Sequence, residues 1–246
     1  MGVIQVRVED GVGVAALARS EKRNAMTPAM LDALLNTIEA MATDDAVRVI
    51  LVTGEGDMFC AGFDLTLCKD DASVLPALLT GLAKVVSEMR ASDKPVVISA
   101  HGGAIAGGCA MLCGADIVVT TADAKIGYPV LRLGISPAVS GPALRQATGD
   151  GPARARMLDT ALVSGQRALE IGLVHATEAT RDACEQRAVR WAHELAAKPP
   201  HAMAATKRWL RDVSGSDASA AGLATSLSLV DGQEQAAMLP AAWQRK

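Results

Sequence analysis

Aromatic side chains are scarce in this 246-residue chain, which holds two Phe, one Tyr and three Trp. Half of the residues are nonetheless apolar, so Ala, Val, Leu and Met must fill the core, which suits the closely approaching elements of an α/β fold. Positive charge is also in short supply. There are 24 Lys and Arg against 27 Asp and Glu, a formal net charge of −3, and such a chain presents no basic field for nucleic acid. No apolar run reaches the ~18 residues that mark a membrane-spanning helix. Residues 1–6 lack the charged start and small-residue cleavage site of a signal peptide, and Val6 stands where a myristoylation pattern requires Ser or Thr. A soluble, cytoplasmic protein is expected, with no membrane and no nucleic acid among its partners. The five cysteines are an odd number and give no complete disulfide framework. Cys109 and Cys113 lie one helical turn apart, but neither a His nor a further Cys stands near them at ligand spacing. All but Cys184 and Cys68 fall in apolar contexts, so buried reduced thiols are expected and no metal.

Two apolar runs over 3–8 and 12–17 flank Asp10-Gly11 and predict a β-hairpin. Thr27-Pro28 opens a helix as N-cap and first helical residue, and Met30, Leu31, Leu34, Leu35, Ile38 and Met41 fall on one face of it. Buried strands are expected over 48–53, 96–100 and 116–121, and a helix over 76–90. Strand and helix thus alternate with short Gly-rich connections, the pattern of a parallel α/β architecture. From Val139 onward helices follow one another, at about 141–149, 152–160, 166–172, 180–197, 201–212 and 218–230. The expected organisation is an α/β core over 1–190 and a helical region over 191–246, packing on the core or on a neighbouring subunit.

Two turns carry the chemistry: Phe59-Cys60-Ala61-Gly62-Phe63-Asp64-Leu65 and Gly103-Ala104-Ile105-Ala106-Gly107-Gly108-Cys109. Each follows an apolar strand and leads towards a helix, and two such turns side by side can aim two backbone N–H groups at one carbonyl oxygen. Gly107 and Gly108 allow close approach of a ligand, and a helix starting there adds the positive end of its dipole.

Together with Arg19-Ser20-Glu21-Lys22-Arg23-Asn24-Ala25-Met26, Leu133-Gly134-Ile135-Ser136-Pro137 and Ile171-Gly172-Leu173-Val174, these turns resemble the crotonase (enoyl-CoA hydratase/isomerase) superfamily in content, order and separation, over nearly the whole chain. The resemblance implies a spiral of ββα units with two roughly perpendicular sheets and a C-terminal helical region, a homotrimer or hexamer, and binding of an acyl-CoA. It assigns the oxyanion hole to the N–H groups of Phe63 and Gly107, and CoA contacts to Lys22, Ala25, Ala61, Asp64, Leu65 and Val130. No cofactor is implied beyond the coenzyme A thioester as substrate or ligand. Asp64 is expected to cap the helix after Gly62. Lys207 resembles the C-terminal helix lysine of the family; it or Arg208 could reach a CoA phosphate, with a solvated helix face as the alternative.

The family's acids are missing. Ala110 and Val130 occupy the two glutamate positions of hydratases, and Ala138 the aspartate position of dehalogenase-like members. Water addition to an enoyl double bond needs a general base and acid, each contributing ~10²–10⁴-fold, and Ala and Val supply neither. Tyr128 adjoins the second position and is a candidate substrate contact, as are Ser136 and Ser140. Cys109 points away from the first position, Cys60 is packed, His101 supports a loop, and Asp116 and Asp123 are solvent or turn residues. Three functions follow. A hydratase or isomerase could take its acid or base from a loop such as Lys69–Ser73. An acyl-CoA decarboxylase would need only the oxyanion hole. A non-catalytic acyl-CoA carrier or sensor would keep the grip without the chemistry.

Overall fold

The computed structural model describes residues 2–213 and 219–240. Strands β1 (Ile4–Glu9) and β2 (Val12–Leu17) form the expected antiparallel hairpin, with Asp10 and Gly11 both at positive φ (47° and 80°), the pair of left-handed residues that a two-residue loop requires. Helix α1 (Pro28–Thr43) begins where Thr27 accepts the Met30 N–H at 3.1 Å. It leads into β3 (Val49–Gly54), α2 (Val74–Ala91), β4 (Val96–Ala100), β5 (Gly103–Ile105), the short α3 (Gly107–Leu112), β6 (Ile117–Thr121) and β7 (Lys125–Gly127). Helices α4 (Gly141–Thr148), α5 (Asp150–Leu158) and α6 (Gly165–Glu170) precede a last strand, β8 (Ala176–Glu178). Helices α7 (Arg181–Ala196), α8 (Pro200–Val213), α9 (Ser219–Leu227) and α10 (Gln233–Met238) follow.

The larger sheet has the order β1-β2-β3-β4-β6-β8, parallel from β2 onward, and β5 pairs in parallel with β7 in a second sheet. Every residue of β2, β3 and β4 is buried, as parallel strands covered on both faces must be. One face packs on α1, α2 and α3. The other presents Val12, Val14, Val49, Leu51, Val97 and Val119 to Cys184, Ala188, Ala192 and Ala196 of α7. Those four recur at every fourth position, a stripe of small side chains that lets the helix lie close on the sheet. The boundary expected at residue 190 therefore falls inside α7, and the core continues to Ala196. The strands β5, β7 and β8 were not expected; at three residues each they are too short to carry an alternating pattern.

The C-terminal helices return to the same chain. Helix α9 lies on residues 138–140 and on α2, and α10 on residues 129–133. The helix expected over 218–230 is described from Ser219, and the parts of the expected helical region at 214–218 and 241–246 lie outside the described residues. All five cysteines are free and buried, Cys68 and Cys184 included, which corrects the more open contexts expected for those two.

Candidate functional site

The first turn is pinned by Asn24, which is fully buried at φ 54°. Its amide donates to the carbonyls of Glu55 and Met58, both at 2.9 Å, and its oxygen accepts the Arg19 N–H at 2.9 Å. The chain then runs beside β5, with Cys60 N–H on Gly103 O at 3.1 Å and Ile105 N–H on Cys60 O at 3.0 Å. A Cβ on Gly108 would stand 2.7 Å from Cys60 O, so only glycine permits this approach of α3 to the turn.

Met26 brackets Phe63. Its N–H donates to Gly62 O at 2.7 Å and its carbonyl accepts the Asp64 N–H at 2.9 Å. In such a parallel bridge the N–H of the bracketed residue faces the opposite side. Gly107 is the first residue of α3, where no intrahelical acceptor exists. It is preceded by Ala106 at φ 51°, ψ −111°, a strained conformation for a residue with a Cβ. Ala106 is held there by its N–H on Gly127 O at 2.8 Å and by the Ala110 N–H on its own carbonyl at 3.0 Å. Among the described residues neither the Phe63 nor the Gly107 N–H has a hydrogen-bond acceptor. Both residues line one cavity of about 140 Å³.

That cavity is walled by Leu79 and Leu82 of α2 and by Val130, Leu133, Ile135 and Val139 of the segment after β7. Among the described residues its lining contains no Asp, Glu, His, Lys or Arg. Ala110 and Val130 are part of the wall. Ala138 is not: it lies on the outer side of the segment, with its carbonyl against Gly222 of α9. The segment Lys69–Ser73 contributes nothing to the lining; Asp71 there accepts the N–H and hydroxyl of Ser73.

Tyr128 lines the cavity with its ring, and its hydroxyl lies 3.6 Å from Cys113 Sγ. Burial pushes its pKa well above the ordinary tyrosine value, with Cys109 and Cys113 adding to the effect, so the phenol stays protonated. Burial likewise pushes the thiol of Cys60 up to about 12 and that of Cys113 to about 11. None of them is a thiolate nucleophile. Ser136 and Ser140 also line the cavity, the latter donating to Pro137 O at 3.0 Å.

Asp64 does not cap the turn of 3-10 helix at Leu65–Lys69. Its carboxylate pairs with Arg19 at 3.1 Å and accepts the Thr66 hydroxyl at 2.5 Å. Burial alone would raise its pKa, but Thr66 and Arg19, with Lys22 nearby, hold it below the usual value. Arg19, which also donates to Ala25 O, is a tether that the sequence reading passed over. Its position at the head of the Arg19–Met26 motif was the available signal. Lys22 is exposed, and its carbonyl accepts the Ala25 N–H at 3.0 Å while Arg23 O accepts the Ala61 N–H at 3.0 Å. Residues 19–26 and 61–65 thus form one unit beside the cavity, with Leu65 in its wall. His101 supports the loop as expected, with Nε2 2.9 Å from Gly56 O, and burial lowers its pKa.

One expectation for the C-terminal helices is corrected. Lys207 is buried, its ammonium donating to Met89 O at 3.1 Å, Lys94 O at 2.9 Å and Asp116 at 2.7 Å. It therefore faces neither solvent nor a CoA phosphate in this chain. Asp116 is exposed, as expected, and its carboxylate also anchors Lys207 and accepts the Val96 N–H at 2.7 Å. Arg208 pairs with Asp93 at the surface. Among the described residues no cluster of His, Cys, Asp and Glu is placed to hold a metal ion, and no helix is long and apolar enough to cross a membrane.

The sequence profile of the enoyl-CoA hydratase/isomerase family matches residues 7–236. The 2,3-dehydroadipyl-CoA hydratase of Escherichia coli is 31% identical over 215 residues, which cover 86% of this chain and 82% of the relative. An enoyl-CoA hydratase of Mycobacterium smegmatis superposes with a TM-score of 0.82 at 27% identity, covering 100% of this chain and 90% of that one. An enoyl-CoA hydratase/isomerase from Mycobacterium paratuberculosis shares the fold with a TM-score of 0.88 at 22% identity, covering 97% and 98%.

Proposed function

The chain belongs to the enoyl-CoA hydratase/isomerase family, whose members bind acyl-CoA, and from that premise we propose that it grips a CoA thioester with the carbonyl oxygen between the N–H groups of Phe63 and Gly107. The observation that carries this reading is the pair of backbone donors without acceptors on one apolar cavity. Buried N–H groups are costly to leave unpaired, and a thioester oxygen satisfies both at once. As negative charge grows on that oxygen, one such donor contributes ~3 kcal/mol. The tethered unit of residues 19–26 and 61–65 supports the CoA side of the reading. There the exposed Lys22 ammonium suits a phosphate, and the backbone near Ala25, Ala61, Asp64 and Leu65 lies beside the cavity mouth.

The lining supports a reading of the chemistry as well. Hydration needs a group that takes a proton from water and one that returns it, and a cavity without a carboxylate or imidazole provides neither. On this reading the chain does not share the hydration that the names of its relatives describe. Decarboxylation would form the same enolate without a base, but its substrate carboxylate would enter a cavity with no cation to pair it. The favoured function is a carrier or sensor of acyl-CoA in the cytoplasm. Self-association as a trimer or a pair of trimers is part of the proposal and is supported by Trp209 and Val213, exposed on α8.

The test is calorimetric titration with crotonyl-CoA and free CoA, followed in parallel by loss of the conjugated thioester absorbance. Binding without turnover is expected, and the double variant Ala110→Glu with Val130→Glu is expected to gain measurable hydration. Turnover of many equivalents per minute by the unaltered chain overturns the reading.

A further inference from the structure

Resting on that thioester reading, we infer that the acyl group is a short, uncharged hydrocarbon of about six carbons, and that a wall segment clamped by α9 sets its length. Three observations converge on this. The first is size: the cavity, open at the side where the thioester would enter, is about 140 Å³, and an apolar space of roughly 150 Å³ takes a six-carbon group such as benzene.

The second is polarity. Among the described residues that line it, the only polar side chains are three hydroxyls, and each has a partner. Ser140 donates to Pro137 O at 3.0 Å, Ser136 Oγ accepts the Ala138 N–H at 3.3 Å, and the Tyr128 hydroxyl lies against the Cys113 thiol. A terminal carboxylate on the acyl chain would lose its water and meet neither a cation nor a cluster of donors.

The third is the wall itself. Residues 136–140 carry Ser136, Pro137, Val139 and Ser140 on the cavity side and meet α9 on the other. Ser226 of α9, itself buried, donates to Ser136 O at 3.1 Å. Gly222 lies so close that a Cβ there would collide with the Ala138 carbonyl. A wall fixed from behind by a hydrogen bond and a backbone contact does not yield to a longer chain. Close packing then turns a small excess of length into a loss of affinity.

The experiment is calorimetric titration of the full chain with butanoyl-, hexanoyl-, octanoyl-, palmitoyl- and adipoyl-CoA, with free CoA as reference. Hexanoyl-CoA should bind most tightly. Adipoyl-CoA, matched to it in length but bearing a terminal carboxylate, should bind at least tenfold more weakly, and palmitoyl-CoA no better than butanoyl-CoA. The variant Ile135→Ala, which enlarges the cavity, should move the preference from hexanoyl to octanoyl. Its melting curve without ligand reports whether it folds, and if it does not, the series on the unaltered chain decides alone. Equal affinity for adipoyl- and hexanoyl-CoA, or preference for palmitoyl-CoA, overturns this inference and leaves thioester binding standing. Thioesters that bind no better than free CoA overturn the thioester reading itself.

Discussion

The two ends of α3 face two cavities of opposite character. At its N-terminal end, Gly107 opens onto an apolar cavity in which backbone donors wait without acceptors and no side chain carries charge. Beyond its C-terminal end, Cys113 and Gly114 border a second cavity of about 240 Å³ crowded with Arg90, Asp116, His175, Lys207 and Arg211. There the backbone is answered. Arg90 donates to Cys113 O at 3.4 Å, Lys207 to Met89 O, and Arg211 to Ala91 O at 2.6 Å. Helix C-termini expose carbonyls with partial negative charge, and cations are their natural partners. The difference teaches where function resides. In the charged cavity side chains complete the backbone and hold α8 to α2 and β4, whereas in the apolar cavity the Phe63 and Gly107 N–H groups have no acceptor among the described residues, which is what the proposed thioester binding uses.

Breaking the charged end should cost the most stability. Lys207→Met removes an ammonium with three acceptors, and because Asp116 is partly exposed and keeps its Val96 partner, the expected loss is about 2–3 kcal/mol by urea denaturation. Thioester affinity should not change. The converse variant is Gly107→Ala, whose Cβ would stand 2.5 Å from Met26 Cε and 3.1 Å from Phe63 Cε1. With the mobile Met26 end able to yield, thioester affinity over free CoA should fall at least tenfold, about 1.4 kcal/mol, with little change in melting temperature. Should Lys207→Met weaken binding as much as Gly107→Ala does, the division of labour between the two ends is wrong.

Smaller effects sharpen the same contrast. Ala106→Gly relieves a strained φ/ψ and should stabilise the fold by about 1 kcal/mol in thermal denaturation, while loosening the geometry before Gly107. Asp64→Asn tests the tether beside the apolar cavity. The lowered carboxyl pKa of Asp64 means that its ionised form stabilises the fold above the ordinary value of about 4 and loses that contribution as pH falls through the lowered one. Denaturation midpoints of the variant and the parent should therefore differ at neutral pH and converge in strong acid.

Much of the fold was legible because its patterns are local. Thr27-Pro28 announced α1, Asp10-Gly11 the hairpin, and continuous Val/Ile runs the buried parallel strands. What escaped notice depended on distant partners. The three-residue strands β5 and β7 form only because each finds the other, β8 only because β6 offers an edge, and Ala188, Ala192 and Ala196 look like a bland helix until the sheet they cover is known. In the site, Phe63, Gly107, Ala110 and Val130 were readable from motif register, and the structure brings all four to one cavity. Ala138 was not, because a turn of 3-10 helix directs it outward towards Gly222. Lys207 was misread for the same reason: a charged residue reads as exposed unless its partner, far along the chain, is seen.

The sequence by itself determined the longer strands and helices, the family, the glycines that allow two turns to meet, and the apolar residue types at Ala110 and Val130. These are properties of residue type and spacing, which short-range sterics and side-chain chemistry dictate. Only the tertiary structure decided that the two N–H groups share one cavity without acceptors, that the C-terminal helices return to their own core, and that Lys207 is a buried anchor. Hydrogen-bond satisfaction and burial are settled by which distant segments meet, and no single stretch of the chain contains that information.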